Sequence, residues 1–141
     1  MLWFAPILAI AAAQAPATSP QAAVQVVQNY YAAIDRGDYR GAYLAWDRNG
    51  TASGQSFASF RAGFAKTRSV RVVTGAPTNA DAGMSQRTID VPVDVHAVLK
   101  NGTRQHFRGS YTLHRVVEGV GAPSSQLSWH IDSAKLQPVA H

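Results

Sequence analysis

The stretch of sequence that decides the fold is NYYAAIDRGDYRGAYLAW, residues 29–46. It contains the end of one helix, a break at Gly37 and the start of a second helix, which Asp38 caps. Apolar residues recur at three- and four-residue spacing on both sides of the break, which is the period of an amphipathic helix. The first helix begins at Ser19-Pro20, because serine is a good N-cap and proline fits the first helical turn. We therefore predict two consecutive helices that each bury one face.

A third helix and a change of period follow this stretch. Ser53–Ser56 leads into a third helix, in which Phe57, Phe60 and Phe64 share one face. After Thr67 the apolar residues alternate with polar ones, which is the period of a half-buried strand. The predicted strands are Ser69–Thr74, Gln86–Leu99, Thr103–Val117 and Gln126–Leu136, with a loop over Gly75–Gly83 between the first two.

The Asn101-Gly102 turn fixes the pairing of the two longest predicted strands. A two-residue loop would mix apolar and polar side chains on both faces of the sheet. A three-residue loop over 100–102, with Gly102 in the left-handed conformation, instead separates the two kinds of side chain. The predicted cross-strand pairs are Val95–Phe107, Val91–Tyr111 and Ile89–Leu113 on the apolar face, and Asp94–Arg108 and His96–His106 on the polar face.

Composition limits the chemistry that the chain can perform. Its 141 residues include no cysteine, which excludes disulfides, thiolate nucleophiles and cysteine-based zinc sites. The formal net charge is +5, from 13 Lys and Arg against 8 Asp and Glu. A surface rich in arginine favours phosphate, carboxylate or anionic lipid as partners.

The start of the chain is apolar and carries no charge. Leu2–Ala13 is an apolar run of about 12 residues, shorter than the roughly 20 that span a bilayer, and it ends in three alanines that form a small-residue cleavage pattern. We therefore predict a signal peptide over 1–13, a linker over 14–20 and one domain over 21–138. These boundaries predict a periplasmic or secreted protein, and an uncleaved membrane anchor is the alternative.

The order of the predicted elements resembles that of the nuclear transport factor 2-like superfamily, which includes ketosteroid isomerases, polyketide cyclases, scytalone dehydratase and exported domains of unknown role. The segments that carry the resemblance are YYAAIDRGD at 30–38, GQSFASFRAGF at 54–64 and WHIDSAKL at 129–136. The last two are similar to segments of exported bacterial members. The resemblance covers residues 21–138. It implies an α+β fold in which three N-terminal helices pack on a curved, mostly antiparallel four-stranded sheet, giving a cone around a pocket.

The resemblance carries over little catalytic chemistry. Tyr30 matches the first-helix tyrosine that donates to the oxyanion in ketosteroid isomerases. The general-base aspartate of those enzymes falls near Gly54 and their protonated aspartate near Arg108, so neither carboxyl group is present. Members that resemble limonene epoxide hydrolase use an Asp-Arg-Asp trio, which only Asp94, Arg108 and Asp132 could supply, on the polar face. The resemblance thus implies a pocket, and we predict no catalytic residue.

Four aromatic residues are predicted to bind a ligand at the pocket, because buried tyrosine hydroxyls and indole N–H groups need hydrogen-bond partners. They are Tyr30, Trp46, Tyr111 and Trp129. The leading hypothesis is an exported domain that binds a small apolar ligand or an envelope partner in the helix–sheet pocket, without catalysis or a cofactor. One alternative is an isomerase, dehydratase or cyclase-like enzyme that uses Tyr30 as oxyanion donor. Another is a structural envelope module that dimerises through the outer sheet face.

Two polar clusters complete the set of candidates. His96 opposite His106, with His130 or Asp132 alongside, contains metal-ligand residue types, but a solvated sheet face is the simpler interpretation and no metal is predicted. A basic cluster is predicted to contact anionic lipid or polymer, while export and the lack of a base-reading motif argue against nucleic acid. Its members are Arg61, Lys66, Arg68 and Arg71.

Overall fold

The computed structural model describes residues 16–140, so the predicted signal peptide and the first two linker residues lie outside the described part of the chain. None of the helices within this range is long and apolar enough to cross a membrane. The helices are α1 (Pro20–Asp35), α2 (Tyr39–Leu44) and α3 (Phe57–Ala62), and the strands are β1 (Thr67–Thr74), β2 (Thr78–Ala82), β3 (Gln86–Leu99), β4 (Arg104–Val116) and β5 (His130–Pro138).

The predicted helix caps are confirmed. The side-chain oxygen of Ser19 accepts a hydrogen bond of 3.0 Å from the backbone N–H of Ala22, and Pro20 occupies the first turn of α1. Gly37 follows α1 with a φ of 80°, a left-handed conformation that glycine adopts without steric cost. Asp38 then accepts from the N–H of Gly41 at 2.9 Å and begins α2. The single glycine break therefore lets two helices follow each other within residues 20–44.

The sheet is antiparallel, with strand order β1-β3-β4-β5 and with β2 paired to the other end of β3. It has five strands instead of the predicted four, and the prediction of a continuous loop over Gly75–Gly83 was wrong. All five residues of β2 are exposed, and its pairing with β3 is irregular between Thr78 and Asp81. A strand without a buried face has no alternation of apolar residues, so the sequence contained no signal for β2.

The register predicted from the Asn101-Gly102 turn is confirmed. Val95 pairs with Phe107 and Asp94 with Arg108, as do the other pairs predicted between β3 and β4. The N–H of Leu99 donates to the carbonyl of Thr103 at 2.8 Å, and Gly102 has a φ of 87°. The three-residue loop thus places every second residue of these strands on the same face.

The hydrophobic core lies between the three helices and one face of the sheet, called here the inner face. The side chains of Leu113 and Ile131 are fully buried on it. Gly109 faces the same way between Phe107 and Tyr111, and the backbone of β5 passes close to it. A Cβ atom at Gly109 would lie 1.8 Å from the carbonyl oxygen of Lys135, so this approach requires glycine.

Candidate ligand-binding site

A cavity of about 400 Å³ remains between α1, the end of α3 and the inner face of the sheet. Its walls are largely apolar, and residues from α1, from the segment after α3 and from four strands contribute to them. The aliphatic and phenyl groups that line it include Ile34, Phe64, Val70, Val95, Phe107 and Leu136. Because these residues come from elements distant in sequence, the cavity exists only in the folded chain.

Three tyrosines bring polar groups to this cavity. Tyr30 and Tyr31 extend from α1, and Tyr111 extends from β4. The hydroxyl groups of Tyr31 and Tyr111 hydrogen-bond to each other. Tyr30 makes edge-to-face contacts with both rings, at centroid separations of 5.0 Å to Tyr31 and 5.9 Å to Tyr111. The three rings therefore form a rigid aromatic wall that carries hydroxyl groups.

Burial makes these hydroxyl groups harder to ionise than those of exposed tyrosines. Loss of solvation raises the pKa of Tyr31 to about 12, and its hydrogen bond with Tyr111 limits the rise. Burial also raises the pKa of Tyr30 and of Tyr111 well above the ordinary tyrosine value. All three side chains are thus neutral near pH 7, so they can donate hydrogen bonds but cannot act as proton acceptors in the way a carboxylate or imidazole can.

The two tryptophans predicted at the pocket occupy other positions. Trp46 packs edge-on against Tyr30 and Tyr111, each at a centroid separation of 6.3 Å, behind the cavity lining. Its indole N–H faces the Tyr30 hydroxyl and offsets part of the rise in the Tyr30 pKa, yet it makes no hydrogen bond of ordinary geometry. The indole N–H of Trp129 donates to the carbonyl of Ser19 at 2.9 Å, which fixes the start of α1.

Of the four residues predicted to bind a ligand, Tyr30 and Tyr111 therefore line the cavity, whereas Trp46 and Trp129 do not. The prediction that Tyr30 and Tyr111 contact a ligand stays a prediction. Tyr31 and Gln105 also line the cavity and were not in the predicted set. Tyr31 belongs to the apolar stripe of α1, and the predicted register places Gln105 opposite Ala97 on the inner face, so both positions had a sequence signal.

The residues that replace the carboxyl groups of ketosteroid isomerases lie away from the cavity. Gly54 is exposed, with a φ of 76°. The guanidinium of Arg108 binds Asp94 on the opposite, outer face of the sheet, where its Nε donates at 2.9 Å. Asp132 instead faces Arg48 at 3.8 Å, so Asp94, Arg108 and Asp132 do not form a trio. Within residues 16–140, no carboxylate or imidazole lines the cavity.

The predicted polar clusters also have defined positions. His96 stacks on His106 with centroids 4.2 Å apart, while Nδ1 of His130 lies 3.0 Å from the carbonyl of Ser128. No group of three metal-ligating side chains occurs in the described part of the chain. The basic residues Arg61, Lys66, Arg68 and Arg71 are all exposed, and Arg61 and Arg71 line separate surface grooves. Their contact with an anionic surface stays a prediction.

Three helices packed on an antiparallel sheet, with a cavity between them, define the nuclear transport factor 2-like fold. Solved structures of this fold match the chain along most of its length. They include the Kfla4162 protein of Kribbella flavida, at 15% identity and a TM-score of 0.60 over 89% of this chain and 94% of that one. They also include a protein named as a candidate dehydratase of the NTF2-like family from Streptomyces avermitilis, at 14% identity and a TM-score of 0.52 over 87% and 100%.

A third structure with this fold carries an enzyme name. It is a protein from Novosphingobium aromaticivorans named as a candidate aromatic ring hydroxylase, at 16% identity and a TM-score of 0.53 over 89% of this chain and 96% of that one. No protein-family model and no curated protein sequence matches the chain. At these identities the comparisons establish the fold, and the function has to be argued from the site.

Proposed function

We propose that the protein binds a small, mostly apolar ligand that carries one oxygen atom able to accept a hydrogen bond. The observation that supports this proposal is the cavity of about 400 Å³, whose apolar walls meet a cluster of three neutral tyrosines. Its volume lies within the range of about 300–1,000 Å³ that is usual for small-molecule sites. A ligand with an apolar body would remove both its own surface and the cavity walls from water.

Tyr30 is the residue that we assign to the ligand oxygen. The hydroxyl groups of Tyr31 and Tyr111 already bond to each other, whereas no hydrogen bond of ordinary geometry engages the Tyr30 hydroxyl in the described structure. The facing indole N–H of Trp46 presents a donor to the Tyr30 oxygen, which leaves the phenolic proton for the ligand. A ketone or ether oxygen suits this site, because a buried donor without an acceptor costs free energy.

A matched pair of probes tests this assignment. We expect 2-tetralone, a bicyclic ketone, to bind about tenfold more tightly than tetralin, the hydrocarbon of similar shape, as measured by chemical-shift changes of backbone amides during titration. Tyr30→Phe should remove the preference for the ketone and leave tetralin binding unchanged. An equal affinity of the wild-type protein for both probes would contradict the role of Tyr30.

A cavity-filling variant tests the site itself. Leu136 is partly buried and lines the cavity, whereas the next residue, Gln137, is exposed and does not. Leu136→Trp should abolish binding of both probes, and Gln137→Trp should preserve it. Circular dichroism and thermal unfolding would confirm that both variants fold. Failure of 2-tetralone to bind the wild-type protein at millimolar concentration, or unchanged binding of 2-tetralone by Leu136→Trp, would overturn the proposal.

An enzyme with Tyr30 as oxyanion donor is the second candidate. It is favoured by the position of Tyr30 in the cavity lining, and two of the solved structures with this fold carry candidate enzyme names. If the protein turns over an enolisable ketone, Tyr30→Phe should lower kcat by about 100-fold or more, the usual cost of losing an oxyanion-hole donor. Turnover that is unchanged by this substitution would exclude the role.

Export is part of the proposal and rests on the uncharged apolar run at Leu2–Ala13. We expect the protein to accumulate in the periplasm or the medium, with a mass that corresponds to cleavage near Ala13. Fractionation combined with intact-mass measurement tests this expectation. Recovery of the uncleaved chain from the membrane fraction would support the anchor instead.

A further inference from the structure

A groove of about 510 Å³ runs from the outer face of the sheet around the edge at β1, and it shares some lining residues with the ligand cavity. The strand register places Arg71, His96 and His106 side by side in one row across β1, β3 and β4. Arg104 lines the groove from the next row, beside Val98. Asp35, at the end of α1, reaches the groove from the edge of the sheet. Two arginines and two histidines therefore line this groove, together with one carboxylate.

The two histidines present a preorganised pair of nitrogen donors. Their rings stack with centroids 4.2 Å apart and planes inclined by 17°. Nε2 of His106 lies 2.7 Å from Oδ1 of Asp94. Because an ionised carboxylate can only accept hydrogen bonds, Nε2 carries the proton of this contact, and Nδ1 on the other edge of the ring becomes a donor when the ring is protonated.

The acidic groups beside the groove already have partners. Oδ1 of Asp94 also accepts from Nε of Arg108 at 2.9 Å, and Oδ1 of Asp35 accepts from the backbone N–H of Val70 at 2.9 Å. Arg71, in contrast, forms no ion pair among residues 16–140, and its side chain is exposed. Burial first, and then repulsion from His106 and Arg71, lowers the pKa of His96, while Asp94 opposes the shift. The groove thus has an excess of donors and positive charge over acceptors.

We propose that this groove binds a phosphate monoester with an organic body. Arg71 is placed to hold the phosphoryl oxygens, since a guanidinium presents two parallel donors to such a group. The stacked imidazoles supply further donors when they are protonated. The groove is several times larger than a phosphate ion and includes the apolar residues Val70, Ala97 and Val98, which are positioned to contact the organic body. Val70, Ala97 and Gln105 also line the ligand cavity, whereas Arg71, His96 and His106 do not, so substitutions of these three residues test the groove separately.

Such a ligand should bind more tightly as the pH falls. A dianion beside His96 favours the protonated form of this ring and offsets the repulsion that, after burial, lowers its pKa. Affinity should therefore rise from pH 8 to pH 6, until protonation of the phosphate itself near its second pKa of about 6 opposes the effect. The charged groups that face the row are Asp35 from α1, Arg71 from β1, Asp94 from β3, and Arg104 and Arg108 from β4.

Phenyl phosphate is the probe for this proposal and phenol is its neutral control. We expect titration with phenyl phosphate to shift the ring resonances of His96 and His106 and to saturate at millimolar concentration or below, whereas phenol should leave them unchanged. Arg71→Ala should weaken binding about tenfold or more. Arg68→Ala removes the same charge from an exposed position on β1 outside the groove and should change affinity less than twofold.

A vesicle-binding measurement distinguishes a lipid headgroup from a soluble phosphate monoester as the ligand. Vesicles of phosphatidylcholine containing phosphatidic acid present the same monoester on a membrane. Vesicle binding that Arg71→Ala weakens, together with weak binding of phenyl phosphate, would support the site with a lipid as its source. Equal losses in Arg71→Ala and Arg68→Ala, or no shift at either histidine, would overturn the proposal, because binding would then reflect net charge alone.

Discussion

The two faces of the sheet consist of alternate residues of the same strands, yet they differ in every property that bears on function. On the inner face, Val93 and Val95 are buried against the helices, and the polar side chains that line the cavity, those of three tyrosines, Thr67 and Gln105, are uncharged. On the outer face, Asp94 between them contacts His106 and Arg108 in the presence of solvent. The inner face is buried, and the groups on it that can form hydrogen bonds are uncharged. The outer face is exposed to solvent and carries groups that titrate.

Removal of core volume should reveal the largest difference between the faces. Leu113→Ala on the inner face should lower the free energy of unfolding by about 2–5 kcal/mol, because the side chain is fully buried. Thr112→Ala on the outer face removes only a hydroxyl that donates to Asp90 at 2.7 Å, and should cost about 1 kcal/mol. Urea unfolding measures both changes. Similar losses for the two neighbours would mean that the outer face also carries core packing.

Alkaline pH should lower the free energy of unfolding through groups on the inner face of the sheet alone. Tyr30, Tyr31 and Tyr111 have a raised pKa in the folded protein, so above pH 10 the unfolded state releases protons that the folded state retains. The stability is therefore fully present below pH 10 and falls as pH rises, by about 1.4 kcal/mol per pH unit for each such tyrosine. Urea unfolding between pH 9 and pH 11 measures the slope, which Tyr111→Phe should reduce. A flat profile would contradict the burial of the three hydroxyls.

The hydrogen bond between Tyr31 and Tyr111 should give an intermediate effect. Tyr31→Phe leaves the buried Tyr111 hydroxyl without its partner and should cost about 1–3 kcal/mol. The double variant Tyr31→Phe, Tyr111→Phe should be less destabilised than the sum of the two single variants, because neither polar group then remains. A double-mutant cycle measured by urea unfolding gives this coupling. Additive losses would show that the two hydroxyls do not interact.

The outer face should show the smallest effect, and only in acid. The hydrogen bonds from His106 and then from Arg108 lower the pKa of Asp94. A lowered pKa means that this stability is present above the ordinary pKa of 3.8 and is lost as the pH falls below it. Asp94→Asn should remove this acid-sensitive part and leave the alkaline slope unchanged. Thermal unfolding between pH 5 and pH 3 measures it, and an unchanged profile in the variant would show that Asp94 contributes nothing.

The sequence predicted both faces because register and alternation are local properties. Gly102 needs a left-handed conformation, and only one register then separates apolar from polar residues along β3 and β4. The same logic could not find β2, which buries no side chain. Local sequence patterns were therefore sufficient to predict each strand that has one solvent-exposed face and one buried face.

The cavity was harder to predict than the face that lines it. The alternation of side chains along a strand indicates that Trp129 and Tyr111 point toward the helices. It does not indicate where space remains between the helices and the sheet. Trp129 instead bonds to Ser19, 110 residues away, and fills the core at the start of α1. The residual volume depends on how all the side chains pack together, so no single segment encodes it. Tyr30 and Tyr111 were identified because each is both inward-facing and polar at one end.

The close passage of β5 over Gly109 has a consequence for any survey of variants. Phe107 and Tyr111, on either side of Gly109, line the cavity, as does Leu136, its partner on β5. A methyl group at position 109 would push β5 away and widen one wall, although glycine offers a ligand no side chain to contact. A mutational scan that measures only ligand binding would thus rank Gly109 among the binding residues. A parallel scan that measures folding would show that Gly109 acts by setting the distance between β4 and β5, and so the width of the cavity.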